Sequence, residues 1–232
     1  MPYFFAERDG DRVRITGADA RHLARSLRAR PGERISVVEP AGRLLTVRLE
    51  TVAADAVSGR IEADVEHRPE PPVAVTLAVA MLPAASLELV LSRCTEAGAA
   101  GFLLVDAARS VARASRPERW ATICREAAML AGRLSVPPVR GPVAFAQAWR
   151  GAGEPWLLDR DASPLDVLPG AATLFVGPEG GWTPAERALA GDRVRGLGPR
   201  NLRADTAALV GLALALGPTA TRAEPLPSKY PE

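Results

Sequence analysis

The chain has 232 residues, with 47% hydrophobic residues and a formal net charge of +2. That length allows one large domain or two small ones, and the apolar content supports a real core. No run of ~18 apolar residues could form a transmembrane helix, and so small a net charge does not by itself call for nucleic acid. Lys229 is the only lysine, every other basic residue being arginine. This bias fits either a planar fork for phosphates and bases or a GC-rich genome.

Residues 1 to about 66 read as a small β-rich module. Residues 3–6 form a first strand, and residues 19–29 a helix with Ala20, Leu23, Ala24 and Leu27 inward. Arg21, Arg25 and Arg28 recur at i, i+4 and i+7 on another face of that helix, which serves either as a phosphate-facing patch or as a solvated surface. Strands follow at residues 35–38, 44–52 and 60–66. Their alternation places Leu45, Val47 and Leu49, then Ile61, Ala63 and Val65, on the inner side. Short strands separated by turn signals predict a small barrel. The segment HRPEPP, residues 67–72, reads as a stiff linker.

From Val73 onward strands and helices alternate, predicting a mainly parallel α/β sheet. The strands fall at residues 73–80, 101–105, 156–159, 171–176 and 193–197. The helices fall at residues 86–97, from Ser115 and Glu118 to about 131, 145–150 and 205–216. An arginine-rich loop spans residues 106–116 and a proline-rich loop residues 136–142. Gly177-Pro-Glu-Gly-Gly181 interrupts the chain after one strand, and Thr183, Pro184 and Glu186 then open a helix with a capping box. A second glycine turn, Gly198-Pro199, follows the next strand and leads into Arg200-Asn-Leu-Arg203. Two glycine turns at strand ends are either ordinary punctuation or the walls of a ligand site. Neither matches the dinucleotide or phosphate-loop fingerprints. Residues 217–232 read as a loose tail. Cys94 and Cys124 fall in helices and are expected to be reduced, as in a cytoplasmic protein. The MPYFFAERDGDR start does not read as a signal peptide, and the scattered His and Cys residues offer no metal-ligand spacing.

GPEGG followed by LGPRNLRADTA resembles the RsmE family, the 16S ribosomal RNA (uracil-N3)-methyltransferases of the SPOUT superfamily. The likeness extends to Thr95-Glu-Ala-Gly98, to Arg109-Ser-Val111, and to Glu126-Ala127 through Arg133 and Val136-Pro137. At the N-terminus it takes in Arg21-His-Leu23 through Leu27-Arg28 and Gly32-Glu33. Five positions depart from the family pattern: Arg93, Ala97, Leu130, Asn201 and Asp205.

The resemblance implies a PUA-like RNA-binding barrel over residues 1–68 and a trefoil-knot methyltransferase domain over 73–217, with 218–232 as tail. It also implies S-adenosylmethionine as cofactor, a homodimer, and 16S rRNA of the small ribosomal subunit as partner, with no membrane and no metal. Leu174, Val176, Gly177, Pro178, Glu179, Gly180, Gly181, Leu197, Gly198, Asn201, Leu202 and Thr206 are the expected cofactor contacts. Arg203, Arg200 and Glu179 are the catalytic candidates, with Arg109 a further arginine able to reach the site. Arg21, Arg25, Arg28, Arg109, Arg113 and Arg116 would hold RNA. Two other readings keep the same fold: a methyltransferase of another RNA position, and an RNA-binding protein that has lost catalysis.

Overall fold

The computed structural model describes residues 2–111 and 116–218, and it divides into two compact units. The expected Arg113 contact, the Ser115 cap and nearly all of the tail lie outside the described residues.

The first unit takes in residues up to Glu70 together with Ala128–Ser135. It is built on a six-stranded sheet of order β1-β4-β5-β6-β3-β2, comprising β1 (Tyr3–Phe5), β2 (Glu7–Asp9), β3 (Arg12–Thr16), β4 (Arg34–Glu39), β5 (Arg43–Val52) and β6 (Ala56–Glu66). Phe4, Ile15, Leu23, Leu45 and Leu49 fill its core, which Met129 joins from the distant segment. The long helix expected at residues 19–29 is instead a single α-turn, α1 (Gly17–Arg21), continued by a π-helical turn over His22–Ser26. Arg28 has φ +53, past the helix end, so it does not extend the face of Arg21 and Arg25.

The alternation expected along β6 also fails in its second half. Thr46 pairs with Ala63 while Val47 pairs with Ile61, which leaves Glu62 as an extra, bulged residue. A bulge shifts the side-chain phase by one. Ile61 stays half-buried, whereas Ala63 and Val65 are exposed and Asp64 turns partly inward. The proline-rich linker is tethered, not free. His67 Nε2 lies 2.7 Å from the Gly132 carbonyl, and Glu70 takes a hydrogen bond from the buried Arg133 guanidinium at 2.6 Å and another from the Leu134 amide at 3.0 Å.

The second unit carries a wholly parallel sheet of order β12-β10-β11-β7-β8-β9. Its strands are β7 (Val75–Ala80), β8 (Gly101–Asp106), β9 (Val139–Ala144), β10 (Pro155–Leu158), β11 (Ala172–Val176) and β12 (Val194–Arg195). Its helices are α2 (Ala84–Glu96), α3 (Pro117–Ala131), α4 (Phe145–Gly151), α5 (Pro184–Ala190) and α6 (Ala204–Leu216). One face packs α2, α3 and α6 over Leu77, Val79 and Leu174; the other packs Phe145, Trp149 and Ala190 over Ala78 and Phe175. Both faces being covered explains why β7, β8 and β11 are almost continuously apolar. Strand β9 falls where a proline-rich loop was expected. It is an edge strand, where the missing amide of Pro142 is tolerated.

The chain between β10 and β11 crosses over a segment laid down later. Gly196 donates its amide to Ser163 O at 2.6 Å and accepts from the Leu165 amide at 2.9 Å. The same loop then reaches the end of α6, where Leu168 donates to Ala215 O at 3.0 Å. A Cβ on Gly196 would lie 2.5 Å from the Ala162 carbonyl oxygen, so only glycine fits beneath the loop. The loop is thus laid against both β12 and the end of α6, two segments that follow it in the chain.

Candidate functional site

Strands β10, β11 and β12 end side by side, and the loops that leave them enclose a cleft of about 660 Å³. Its position beyond the carboxyl ends of parallel strands is where open α/β sheets bind ligands, and its volume suits a nucleoside-sized molecule. Val176 and Gly177 through Trp182 form one wall. Leu197, Gly198, Arg200, Asn201, Leu202 and Arg203 form a second, closed by Ala204 and Ala207 at the start of α6. Leu158, Asp159, Arg160 and Asp161 form the third.

Of the residues expected to hold a cofactor, Val176, Gly177, Pro178, Glu179, Gly180, Gly181, Leu197, Gly198, Asn201 and Leu202 line this cleft. Leu174 does not: it is wholly buried in the core one turn of the pleat below. Thr206 does not line it either. It is exposed in the first turn of α6, where its amide donates to Asp205 Oδ1 at 2.7 Å. The catalytic candidates Arg200, Arg203 and Glu179 all reach the cleft with exposed side chains. Among the described residues neither Arg200 nor Arg203 forms an ion pair. Arg203 stands immediately before α6, so its positive charge adds to the partial positive charge of the helix N-terminus.

The glycine loop after β11 is fixed by its own sequence. Thr183 accepts from the Glu186 amide at 3.3 Å while Glu186 Oε2 accepts from the Thr183 amide at 2.8 Å, completing the expected capping box. Gly181 takes φ +66 and donates to Pro178 O at 2.8 Å, closing a tight turn. Trp182 fills the space under Gly177, and its indole donates to the Leu158 carbonyl at 3.0 Å, tying the loop to the end of β10. Arg109, expected to face RNA, donates to the carbonyls of Gly180 at 2.8 Å and Trp182 at 3.3 Å.

The third wall was not foreseen. Asp159 pairs with Arg187 at 2.8 Å. Hydrogen bonding to Arg160, reinforced by its charge, holds the Asp161 carboxyl below the ordinary aspartate range, so it stays ionised near neutrality. No feature of a lone Asp-Arg-Asp run marks it as part of a pocket. Trp182 did carry a signal, an aromatic directly after a glycine turn. Asn201, one of the departures from the family pattern, is exposed to the cleft, so its amide is not stranded in a core. Leu130 is 61% exposed, which makes that departure a surface change.

Arg21 and Arg25 are exposed on the first unit, as is Arg28 beyond the turn; Arg116 is exposed on the second. Among the described residues no group of three or more His, Cys, Asp or Glu could hold a metal ion, and no helix is long and apolar enough to cross a membrane.

Comparison with known proteins agrees with this geometry. Residues 69–216 match the family described as an RNA methyltransferase domain, and residues 15–62 the family described as an RNA methyltransferase PUA domain. A Synechocystis protein named ribosomal RNA small subunit methyltransferase E is 34% identical over 218 residues, covering 87% of this chain and 71% of that one. Its namesake in Bacillus subtilis is 30% identical over 223 residues, covering 86% and 87%. The crystal structure of a ribosomal RNA small subunit methyltransferase E from Neisseria gonorrhoeae, bound to S-adenosyl methionine, matches with a TM-score of 0.83 at 28% identity over 91% of this chain and 95% of that one. The chain therefore belongs to the RsmE family of ribosomal RNA small subunit methyltransferases, S-adenosylmethionine-dependent enzymes that join a PUA-like domain to a SPOUT α/β domain.

Proposed function

We propose that the protein methylates N3 of a uridine in 16S rRNA of the small ribosomal subunit, using the cleft at the ends of β10, β11 and β12 for S-adenosylmethionine. The observation that carries this reading is the meeting of two glycine loops with two arginines, Arg200 and Arg203, that have no ion-pair partner among the described residues. The cofactor fits the chemistry of the walls. Val176, Leu197, Leu202 and Ala207 offer apolar surface for an adenine, and the Gly177–Gly181 and Gly198 backbone allows close approach. When bound, the cofactor supplies a methyl group activated by a sulfonium.

The residues of the chain supply position and charge. Uracil N3 carries a proton and becomes nucleophilic only after losing it, leaving negative charge on O2 and O4. Arg203, backed by the N-terminus of α6, stabilises that anion, and Arg200 assists. Glu179 is exposed in the cleft and takes the proton, directly or through water. Holding donor and acceptor in line supplies much of the remaining acceleration. Arg21, Arg25 and Arg28 on the first unit, with Arg113 and Arg116, bind the RNA backbone. The two domains divide at the 67–72 segment.

The enzyme acts as a homodimer in the cytoplasm, where its RNA substrate is made. Helix α6 supports the dimer: it is apolar on every side, yet Ala213 and Leu214 remain exposed. Such a helix calls for a further apolar cover, which a second copy supplies. Incubation of the purified protein with 16S rRNA and S-adenosylmethionine, followed by nucleoside mass spectrometry, should yield 3-methyluridine. A methyl found on ribose or on another base, or no methylated product at all, would refute the assignment.

A further inference from the structure

The loop that follows β8 touches the cofactor loop from outside the cleft. It holds the carbonyl edge of two peptide planes whose amide edges are held by Pro178 and Glu186. In the Gly180–Gly181 peptide, the carbonyl accepts from Arg109 at 2.8 Å and the amide donates to Pro178 O at 2.8 Å. In the Trp182–Thr183 peptide, the carbonyl accepts from the same Arg109 nitrogen at 3.3 Å and the amide donates to Glu186 Oε2 at 2.8 Å. Because a peptide unit is planar, holding its carbonyl and its amide on opposite sides fixes its orientation. The other oxygen of the buried Glu186 carboxylate accepts from the Ala108 amide at 2.9 Å, so Glu186 and Arg109 clasp the two loops together from either side. The Arg109 stem also lies along Gly180, where an added Cβ would stand 3.4 Å from Arg109 Cβ.

We infer that Arg109 is a positioning residue for the cofactor loop: it sets the shape of residues 180–183 before ligand arrives and acts through the Gly180 and Trp182 carbonyls without touching RNA. This inference rests on the proposed cofactor cleft. One guanidinium nitrogen with two hydrogens serves both carbonyls, and its charge strengthens both bonds. Neither carbonyl has another protein donor among the described residues. Removing the guanidinium frees both peptides to turn, and S-adenosylmethionine must then order a loop that the native protein presents already shaped.

The test compares the full-length protein with Arg109→Ala and Arg109→Lys. Calorimetry should show S-adenosylmethionine binding about tenfold weaker in Arg109→Ala, partly restored in Arg109→Lys. The KM for S-adenosylmethionine should rise while kcat and the KM for RNA hold. In the ligand-free protein, exchange of the Gly181 and Thr183 amides should quicken by about tenfold, with the melting temperature nearly unchanged. Unchanged cofactor affinity in Arg109→Ala, or lost RNA affinity with cofactor binding intact, would overturn the inference and leave the cleft assignment standing. A wild-type protein that fails to bind S-adenosylmethionine would instead overturn both.

Discussion

Two sets of arginines carry the same side chain in opposite circumstances. On the sheet of the first unit, Arg8 and Arg43 bind Asp64, Arg34 and Arg48 bind Glu62, and Arg12 and Arg60 approach Glu50. At the cleft of the second unit, Arg200 and Arg203 are exposed and have no carboxylate partner among the described residues. Paired arginines neutralise charge within the molecule and fix the strands relative to one another. Unpaired arginines keep their charge for a ligand. Arg21 and Arg25, on the first unit but off its sheet, belong with the second group: among the described residues they too form no ion pair. An arginine-rich composition is therefore not one property: carboxylate-paired arginines brace the first unit's sheet, and the free pair at the cleft keeps its charge for a ligand.

The sharpest way to break this contrast is Arg203→Ala. Removing a preorganised donor from a developing anion typically costs 10²–10³-fold in turnover. The variant should lose about that much methyl transfer from S-adenosylmethionine to 16S rRNA, while its melting temperature stays where it was, because no internal partner is lost. Full activity in Arg203→Ala would mean that a free arginine at the cleft is no guide to catalysis, and Arg200 would take its place as the anion-stabilising group.

A smaller effect is expected for the double variant Arg21→Ala/Arg25→Ala. Each phosphate contact contributes about 0.7 to the salt slope of single-stranded RNA binding. The slope of log affinity against log salt should fall by roughly one to two in the variant, with S-adenosylmethionine affinity unaltered. An unchanged slope, measured by filter binding across salt concentrations, would return this face to the role of a solvated surface.

How much of this was legible in the sequence depended on local physics. Strands buried on both faces, such as β7 and β11, declare themselves as short apolar runs. Thr183 and Glu186 announce their capping box by spacing alone. Both glycine loops of the cleft were readable for the same reason. By contrast, β2 is exposed along its whole length and β3 buries only Val13 and Ile15, so charged residues hid both. The Glu62 bulge reversed the expected facing of Ala63 and Val65, since pattern reading assumes an unbroken ladder. The π-turn after Arg21 broke the three-arginine face that regular helical spacing suggested. Asp159 and Asp161 join the cleft because β10 ends between β11 and β12, a strand order that no local pattern encodes.

The smallest expected effect tests the paired set. Hydrogen bonds from Arg43, and then from Arg8, hold the Asp64 carboxyl below the ordinary aspartate range. Arg34 and Arg48 do the same for Glu62. A carboxyl depressed in the folded state adds stability that is complete above its unfolded pKa and is lost as pH falls through its folded value. Wild-type melting temperature should therefore drop as the solution is taken from neutral pH into the acid carboxylate range. Asp64→Asn should melt slightly lower at pH 7, since exposed pairs contribute little, and should lose less on acidification, so that the two curves converge at low pH. Parallel curves would mean that the Asp64 pairs hold no measurable stability, and that the first unit's arginines balance charge without bracing the sheet.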